Sequence, residues 1–222
     1  MFYFEKYKEN TVLKSDLLKE VNHFFTTRDW KGFDCLETNR LIRPEQTHSD
    51  NIGIVDYRNE YPNTDALILA EKDTTICLKF ADCTPIILYD TENKIGAISH
   101  AGWKGTASKI GQKTVLKMQE KFSTKPENVI AIIGPTISLC CYEVSEDVKE
   151  KLLSTVTNRE GLFINKKVDL KGINAQQLKE IGVNQIDICP YCTSCNNDKF
   201  YSYRKENGTP NRHYAMLSIP SP

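Results

Sequence analysis

Apolar and polar positions change rhythm along this chain, and each change marks an element. Residues 11–25 (TVLKSDLLKEVNHFF) carry apolar side chains at roughly helical spacing, which predicts a short first helix or the edge of a hairpin. Polar, irregular sequence follows as far as Arg43-Pro44, broken by Trp30, Phe33 and Leu36. From Asp65 short apolar runs take over. ALILA, TTICLKFA and PIILYD are rich in Ile, Thr and Leu and bounded by charges, KIGAISH (94–100) is a fourth, and all read as buried strands. Gly102 and Gly105 then punctuate a turn, after which Thr106–Lys121 reads as an amphipathic helix with Ile110, Val115 and Met118 on one side. Pro126-Glu127 restarts the chain, VIAIIG (129–134) is a further buried strand, and Ser145–Leu153 reads as a helix opening on a capping box. Asp169–Glu180 is a late helix, while Ile186–Ile188, Phe200–Tyr203 and the terminal HYAMLSI read as short strands. Strands and helices interleave with no internal repeat, low-complexity run or linker. The pattern predicts a mixed α/β fold of layered sheets and helices, one domain over residues 1–222.

Composition narrows the function classes. Lys plus Arg equals Asp plus Glu at 29 each, so no overall field draws the chain to nucleic acid or membrane, although a local basic pocket is still allowed. No run of about 20 apolar residues exists to span a bilayer, and MFYFEKYKEN lacks the apolar stretch of a signal peptide. The expectation is a cytoplasmic, monomeric protein that meets small molecules. In that reducing setting the eight cysteines (Cys35, Cys77, Cys83, Cys140, Cys141, Cys189, Cys192, Cys195) point to metal ligation, chemistry or burial rather than disulfides.

Three segments place a potential metal ligand where a strand gives way to a loop: Gln46-Thr47-His48, Ala81-Asp82-Cys83-Thr84-Pro85 and Ser99-His100-Ala101-Gly102-Trp103-Lys104-Gly105. Two imidazoles and a thiolate suit zinc, and three protein ligands leave a fourth position open, as a catalytic site requires. The spacings (48 to 83 and 83 to 100) match no short zinc-finger pattern. Taken singly, Cys83 could equally be a buried small residue and each His a hydrogen-bonded core residue.

The blocks TDALILA, ADCTPIILYD, HAGWKGTASKI, IGPTISLCCYEV and CTSCNNDKFYSYRKENGTPNRHYAMLSI occur in this order, and from about Gln46 to the C-terminus the sequence resembles the YfiH family. That family is also labelled polyphenol oxidase (laccase-like) or purine nucleoside phosphorylase, and one label ties it to peptidoglycan editing. The resemblance implies a four-layer α-β-β-α sandwich with mixed sheets and helices outside two sheets. It also implies a zinc site made by His48, Cys83 and His100, with copper as a possible substitute. The activities it implies are phosphorolysis of adenosine, inosine, guanosine and methylthioadenosine, and deamination of adenosine. Gln46, from the same block as His48, joins the expected substrate contacts, as do Cys141 and Glu143 of the CCYEV block; Tyr142 reads as core. At the N-terminal end the family's pattern survives only as Thr27-Arg28, before the divergent DWKGFDCLETNR, and Arg28 is a candidate phosphate or substrate contact.

Chemistry adds further candidates. Deamination needs a carboxylate to move protons, and Asp82 beside Cys83 is that candidate, or else a partner that orients a ligand. Catalytic roles thus fall to Asp82, Cys83, His48 and His100. Phosphorolysis needs cations where phosphate meets C1′ of the ribose; Lys104 and Arg204 are placed for it, and Trp103 could stack on a purine. Cys189-x-x-Cys192-x-x-Cys195 resembles an iron–sulfur or structural zinc run, but such a set needs a fourth ligand. Competing readings are a copper oxidase of phenols, a hydrolase acting on peptidoglycan precursors and a non-enzymatic binding module. With only four histidines (His23, His48, His100, His213) the chain is too poor in imidazole for a trinuclear copper centre.

Overall fold

The apolar runs become the inner strands of two packed six-stranded sheets; the computed structural model describes residues 1–220. In chain order the elements are β1 (Phe2–Tyr7), β2 (Asn10–Ser15), β3 (Asn22–Thr26), β4 (Arg40–Ile42), β5 (Ile52–Ile54), β6 (Ala66–Leu69), β7 (Thr74–Phe80), β8 (Thr84–Asp90), β9 (Ile95–Ala101), α1 (Trp103–Ala107), α2 (Ile110–Phe122), β10 (Val129–Ile133), α3 (Glu146–Leu153), β11 (Phe163–Ile164), β12 (Lys167–Val168), α4 (Leu170–Lys179), β13 (Gln185–Ile188) and β14 (His213–Ser218). The first sheet runs β1-β2-β3-β14-β7-β4 and the second β13-β10-β8-β9-β6-β5. Both are mixed: β4/β7, β5/β6 and β10/β13 pair parallel, the other neighbours antiparallel.

β8, β9 and β10 are buried along their whole length because the second sheet has protein on both faces. The alternation of a strand persists there, but between two apolar environments. Ile87 joins Leu13, Phe25, Leu78 and Leu217 between the sheets, while its neighbours Ile86 and Leu88 meet Ile110, Val115, Met118 and Leu178 of α2 and α4. On the far side of the first sheet, Phe24, Cys77 and Met216 are covered by Trp30, Phe33 and Leu36. The fourth layer of the expected sandwich is therefore present on that side as an irregular, aromatic segment rather than as helices. Its sequence has no helical repeat, so isolated rings do the covering.

One local expectation is decided and two change. Residues 11–25 take the hairpin of the two forms expected for them, β2–β3, because pairing with β1 and β14 outweighs the helical spacing. The predicted helix from Thr106 is two helices starting earlier, at Trp103, with Lys109 between them in the left-handed region (φ 58°). Residues 200–203 are not a strand: Phe200 turns into the inter-sheet core, and the Ser202 amide donates to Glu206 instead of a neighbouring strand. Ser145 does occupy the N-cap of α3, but its hydroxyl makes no capping bond. Asn174 and Gln177, buried on α4, donate to the Thr106 hydroxyl (2.9 Å) and carbonyl (2.9 Å), which docks α1 against α4. Among the described residues, no helix is long and apolar enough to cross a membrane.

Candidate metal centre and its pocket

Strand register brings the sequence candidates together. β6 and β9 pair Ala66 with Ser99, and the His100 amide donates to the Asp65 carbonyl (2.7 Å). β8 and β9 pair Thr84 with Ala101 and Pro85 with His100, which sets Cys83 beside His100 at the same sheet edge. The His48 loop is wrapped around the fully buried Asp65 carboxylate. It accepts the backbone N–H groups of Thr47 (3.1 Å), His48 (3.1 Å) and Ser49 (2.7 Å) and the Ser49 hydroxyl (2.7 Å). A fifth bond comes from His100 Nδ1 at 2.7 Å. That partner assigns Nδ1 as the protonated nitrogen and turns Nε2 toward Cys83, the carboxylate–histidine arrangement that orients metal ligands.

Cys83 Sγ stands 3.8 Å from His48 Nε2, and the ligand atoms of His48, Cys83 and His100 all lie within 4.8 Å of one another. Zinc bonds of about 2.0–2.3 Å place tetrahedral ligands roughly 3.3–3.8 Å apart, so the trio fits the ion with little movement. Space is reserved for it as well. A Cβ on Gly102 would come within 2.9 Å of Cys83 Sγ and 3.3 Å of the His48 ring, so this position admits no side chain without disturbing the ligands. His48 (φ 62°) and Asp82 (φ 80°) both hold left-handed backbone, a conformation that costs non-glycine residues about 1 kcal/mol or more. Gly102→Ala is accordingly expected to weaken metal binding at the trio by about 10-fold or more, the equivalent of ordinary overpacking. Competition with a chromophoric chelator measures it, and unchanged affinity would show that the ligands yield freely.

The charges of the trio and of Asp65 are coupled. Burial opposes ionisation of Cys83, yet the charge of His100 and hydrogen bonds from both imidazoles bring its thiol down to about 6. Burial equally disfavours the His100 cation, while the Cys83 thiolate and Asp65 raise it to about 9. Burial alone would lift the Asp65 carboxyl, but the bonds from His100 and Ser49 outweigh it and hold the group well below the usual carboxylate range.

The trio opens into a pocket of about 460 Å³, within the range of small-molecule sites. Ala81, Ile137 and Tyr142 form an apolar wall, and Lys79, Arg204 and Arg212 bring three cations. Asp82 is the carboxylate on this lining. Both its oxygens are engaged, Oδ1 by the Thr193 hydroxyl (2.7 Å) and Oδ2 by the Arg204 amide (2.7 Å). These bonds tie the 193–204 segment to the loop that carries Cys83. Gln46 also lines the pocket, but its amide is held at both ends by the Lys79 backbone (2.8 and 2.9 Å). Arg204 reaches the pocket and donates to the Glu143 carbonyl (3.1 Å). Trp103 and Lys104 line a smaller hollow of about 290 Å³ that shares His48, Cys83 and Tyr142 with the pocket. Glu143 faces an adjoining groove with Trp103 and Arg204.

Two expected contacts are not brought to the pocket. Arg28 is bound to the Glu206 carboxylate and the Phe200 carbonyl (3.2 Å) and stacks over Tyr201 (4.3 Å). Cys141 points its sulfur away, to within 3.4 Å of Cys195 Sγ. Conversely, the sequence pattern alone does not single out Asp65, Lys79, Tyr142 or Arg212. Tyr142, expected as core, is only 9% exposed, yet it is common to the pocket, the hollow and the groove.

The model of the family described as multi-copper polyphenol oxidoreductase laccase matches residues 27–220. The chain belongs to this family. Among proteins similar to this laccase-family chain, a purine nucleoside phosphorylase from Clostridium acetobutylicum is 33% identical over 192 residues, 86% of this chain and 79% of that protein. An adenosine deaminase from an unknown prokaryotic organism is 30% identical over 183 residues, 74% of this chain and 70% of that one. The crystal structure of the Bacillus licheniformis hypothetical protein YfiH superposes with a TM-score of 0.86 at 26% identity, covering 97% of this chain and 98% of that one. The present chain therefore shares the fold of that structure, here built from two mixed sheets. The family match begins at residue 27 and leaves β1, β2 and β3 outside.

Proposed function

We propose that the chain is a zinc-dependent purine nucleoside phosphorylase, acting on adenosine, inosine, guanosine or methylthioadenosine, with adenosine deamination as a second activity of the same pocket. The observation that carries this reading is the convergence of the His48–Cys83–His100 trio and three cations on one cavity whose lining carboxylate has both oxygens already engaged by hydrogen bonds. Such a lining favours an anion, and phosphate is the anion a phosphorylase consumes. The names of similar proteins support both activities.

Phosphorolysis forms a bond from a phosphate oxygen to C1′ as the bond from C1′ to the purine breaks and its electron pair leaves with the base. Lys79, Arg204 and Arg212 hold and orient the phosphate, and their charge offsets the negative charge it brings toward C1′. Tyr142 and Ile137 give the purine an apolar face, and Trp103 and Lys104 serve from the adjoining hollow. His48, Cys83 and His100 would hold the zinc ion, which would supply Lewis-acid chemistry for polarising a bound group. Deamination is less well served, because the lining offers no carboxylate free to move protons. The phosphorolytic activity is thus expected to be the larger.

The oxidase reading fits these residues less well. His23 and His213 sit buried in β3 and β14, outside the metal trio, and burial pushes them down to about 4 and about 3. Two histidines and one cysteine make a single mononuclear site, not a multi-copper cluster. Chromatography of products from adenosine, with and without phosphate, tests the proposal. Phosphate-dependent release of adenine with ribose 1-phosphate is expected; no product from any purine nucleoside would overturn it.

A further inference from the structure

The cysteine-rich run near the C-terminus has a structural answer that its own spacing hides. Cys189 is not part of it: that side chain is buried in the core between the sheets, and its carbonyl is held by the buried Lys171 (2.6 Å). The two remaining cysteines of the run, Cys192 and Cys195, meet Cys140 and Cys141 instead. The four sulfur atoms lie within 4.8 Å of one another, and none is bonded to another. Cys195 Sγ is 3.5 Å from Cys140 Sγ and 3.4 Å from Cys141 Sγ.

Adjacent residues of a strand point to opposite faces. Here the chain turns instead, with the amides of Cys141 (2.8 Å) and Tyr142 (2.9 Å) donating to the Ser138 carbonyl, so that both thiols serve one point. The opposite half is fixed by a parallel bridge between Thr136 and Cys192 and by the Ser138 amide, which donates to Cys192 Sγ (3.4 Å). Four sulfurs around a common centre at roughly the edge length of a zinc–thiolate tetrahedron, about 3.8 Å for bonds of about 2.3 Å, are more than any disulfide uses. A disulfide would consume two and leave two exposed or crowded.

We infer that Cys140, Cys141, Cys192 and Cys195 hold a second zinc ion in a closed, structural four-thiolate site. On binding, each thiol gives its proton to solvent and its sulfur pair to the metal. Lys167, whose ammonium sits on the Cys140 carbonyl (2.9 Å), offsets the negative charge of the resulting centre. The ion ties the 138–144 segment, which carries Tyr142 and Glu143, to the 192–204 segment, which carries Thr193 and Arg204. It thereby braces one wall of the pocket without touching substrate. The inference does not depend on which reaction the pocket performs.

Elemental analysis of protein purified under a thiol reductant tests it. Two zinc ions per chain are expected in the unaltered protein, one in Cys83→Ala and one in the double variant Cys140→Ser/Cys195→Ser, which keeps the histidine site. A single zinc in the unaltered protein that is lost in Cys83→Ala, a zinc content in the double variant equal to that of the unaltered protein, or a disulfide from Cys195 to Cys140 or Cys141 would overturn the inference. Should the double variant fail to fold, cobalt-loaded Cys83→Ala decides. An intense thiolate-to-cobalt absorption supports the four-sulfur site, and its absence refutes it, because no thiolate remains in the other.

Discussion

On the proposed function, Cys83→Ala is expected to abolish zinc binding by the histidine trio and to lower kcat/KM for purine nucleoside phosphorolysis by about 10³-fold or more, the worth of several kcal/mol of Lewis-acid stabilisation. The thiolate is the ligand with the greatest charge, and without it two neutral imidazoles remain at an exposed loop and a strand end. Little else should change. Cys83 is half-buried, alanine leaves the β7–β8 turn intact, and Asp82 still holds Thr193 and the Arg204 amide. Zinc content, the circular dichroism spectrum and turnover measured together separate the cases. Lost zinc and lost turnover in a folded protein match the account. Retained turnover without zinc would move the chemistry to other residues of the pocket.

Asp65→Asn is expected to be nearly as damaging although Asp65 touches no substrate. Its carboxylate accepts five hydrogen bonds, four from the His48 loop and one from His100. An amide of the same shape presents an NH2 to donors on one side, so at least one buried donor loses its acceptor. Partners of this kind change metal affinity by about 10–100-fold, and a buried charge network of this size costs about 3 kcal/mol when broken. The pH dependence identifies the cause. The Asp65 carboxyl is held below its ordinary value in the folded chain, so its contribution is complete above the unfolded pKa of about 4 and is lost as pH falls below that, through the folded value. Urea unfolding of the metal-free proteins should therefore show the largest gap between the unaltered chain and the Asp65→Asn variant at neutral pH, closing on acidification below about pH 4. A gap that stays constant with pH would mean that the ionised carboxylate is not what holds the loop.

Much of this molecule is legible in its sequence. The runs that become β6 to β10 are apolar on both faces, and a continuous apolar run flanked by charges has few alternatives to a buried strand. The hairpin β2–β3 is ambiguous because its partners, β1 and β14, lie at opposite ends of the chain, and only those long-range pairings choose strand over helix. The candidate metal trio is legible as three potential ligands at strand ends, and the structure brings them together. Asp65 is not, since an acid at the start of a strand looks like a local cap; its function appears only when the β6–β9 register sets it against His100. Arg28 misleads for the converse reason: its partner Glu206 is 178 residues away, and nothing local shows that the guanidinium is already engaged. The four-cysteine cluster is hidden in the same way, because the bridge between Thr136 and Cys192 joins two blocks that the sequence keeps apart.

Metal removal and return during phosphorolysis measures the central claim most directly. Chain stripped with a chelator is assayed with adenosine and phosphate, then again as zinc is added back while occupancy of the histidine site is followed. The account expects base and ribose 1-phosphate to appear in proportion to that occupancy and only when phosphate is present. Full turnover in the stripped protein, or none in the zinc-restored protein, would contradict it.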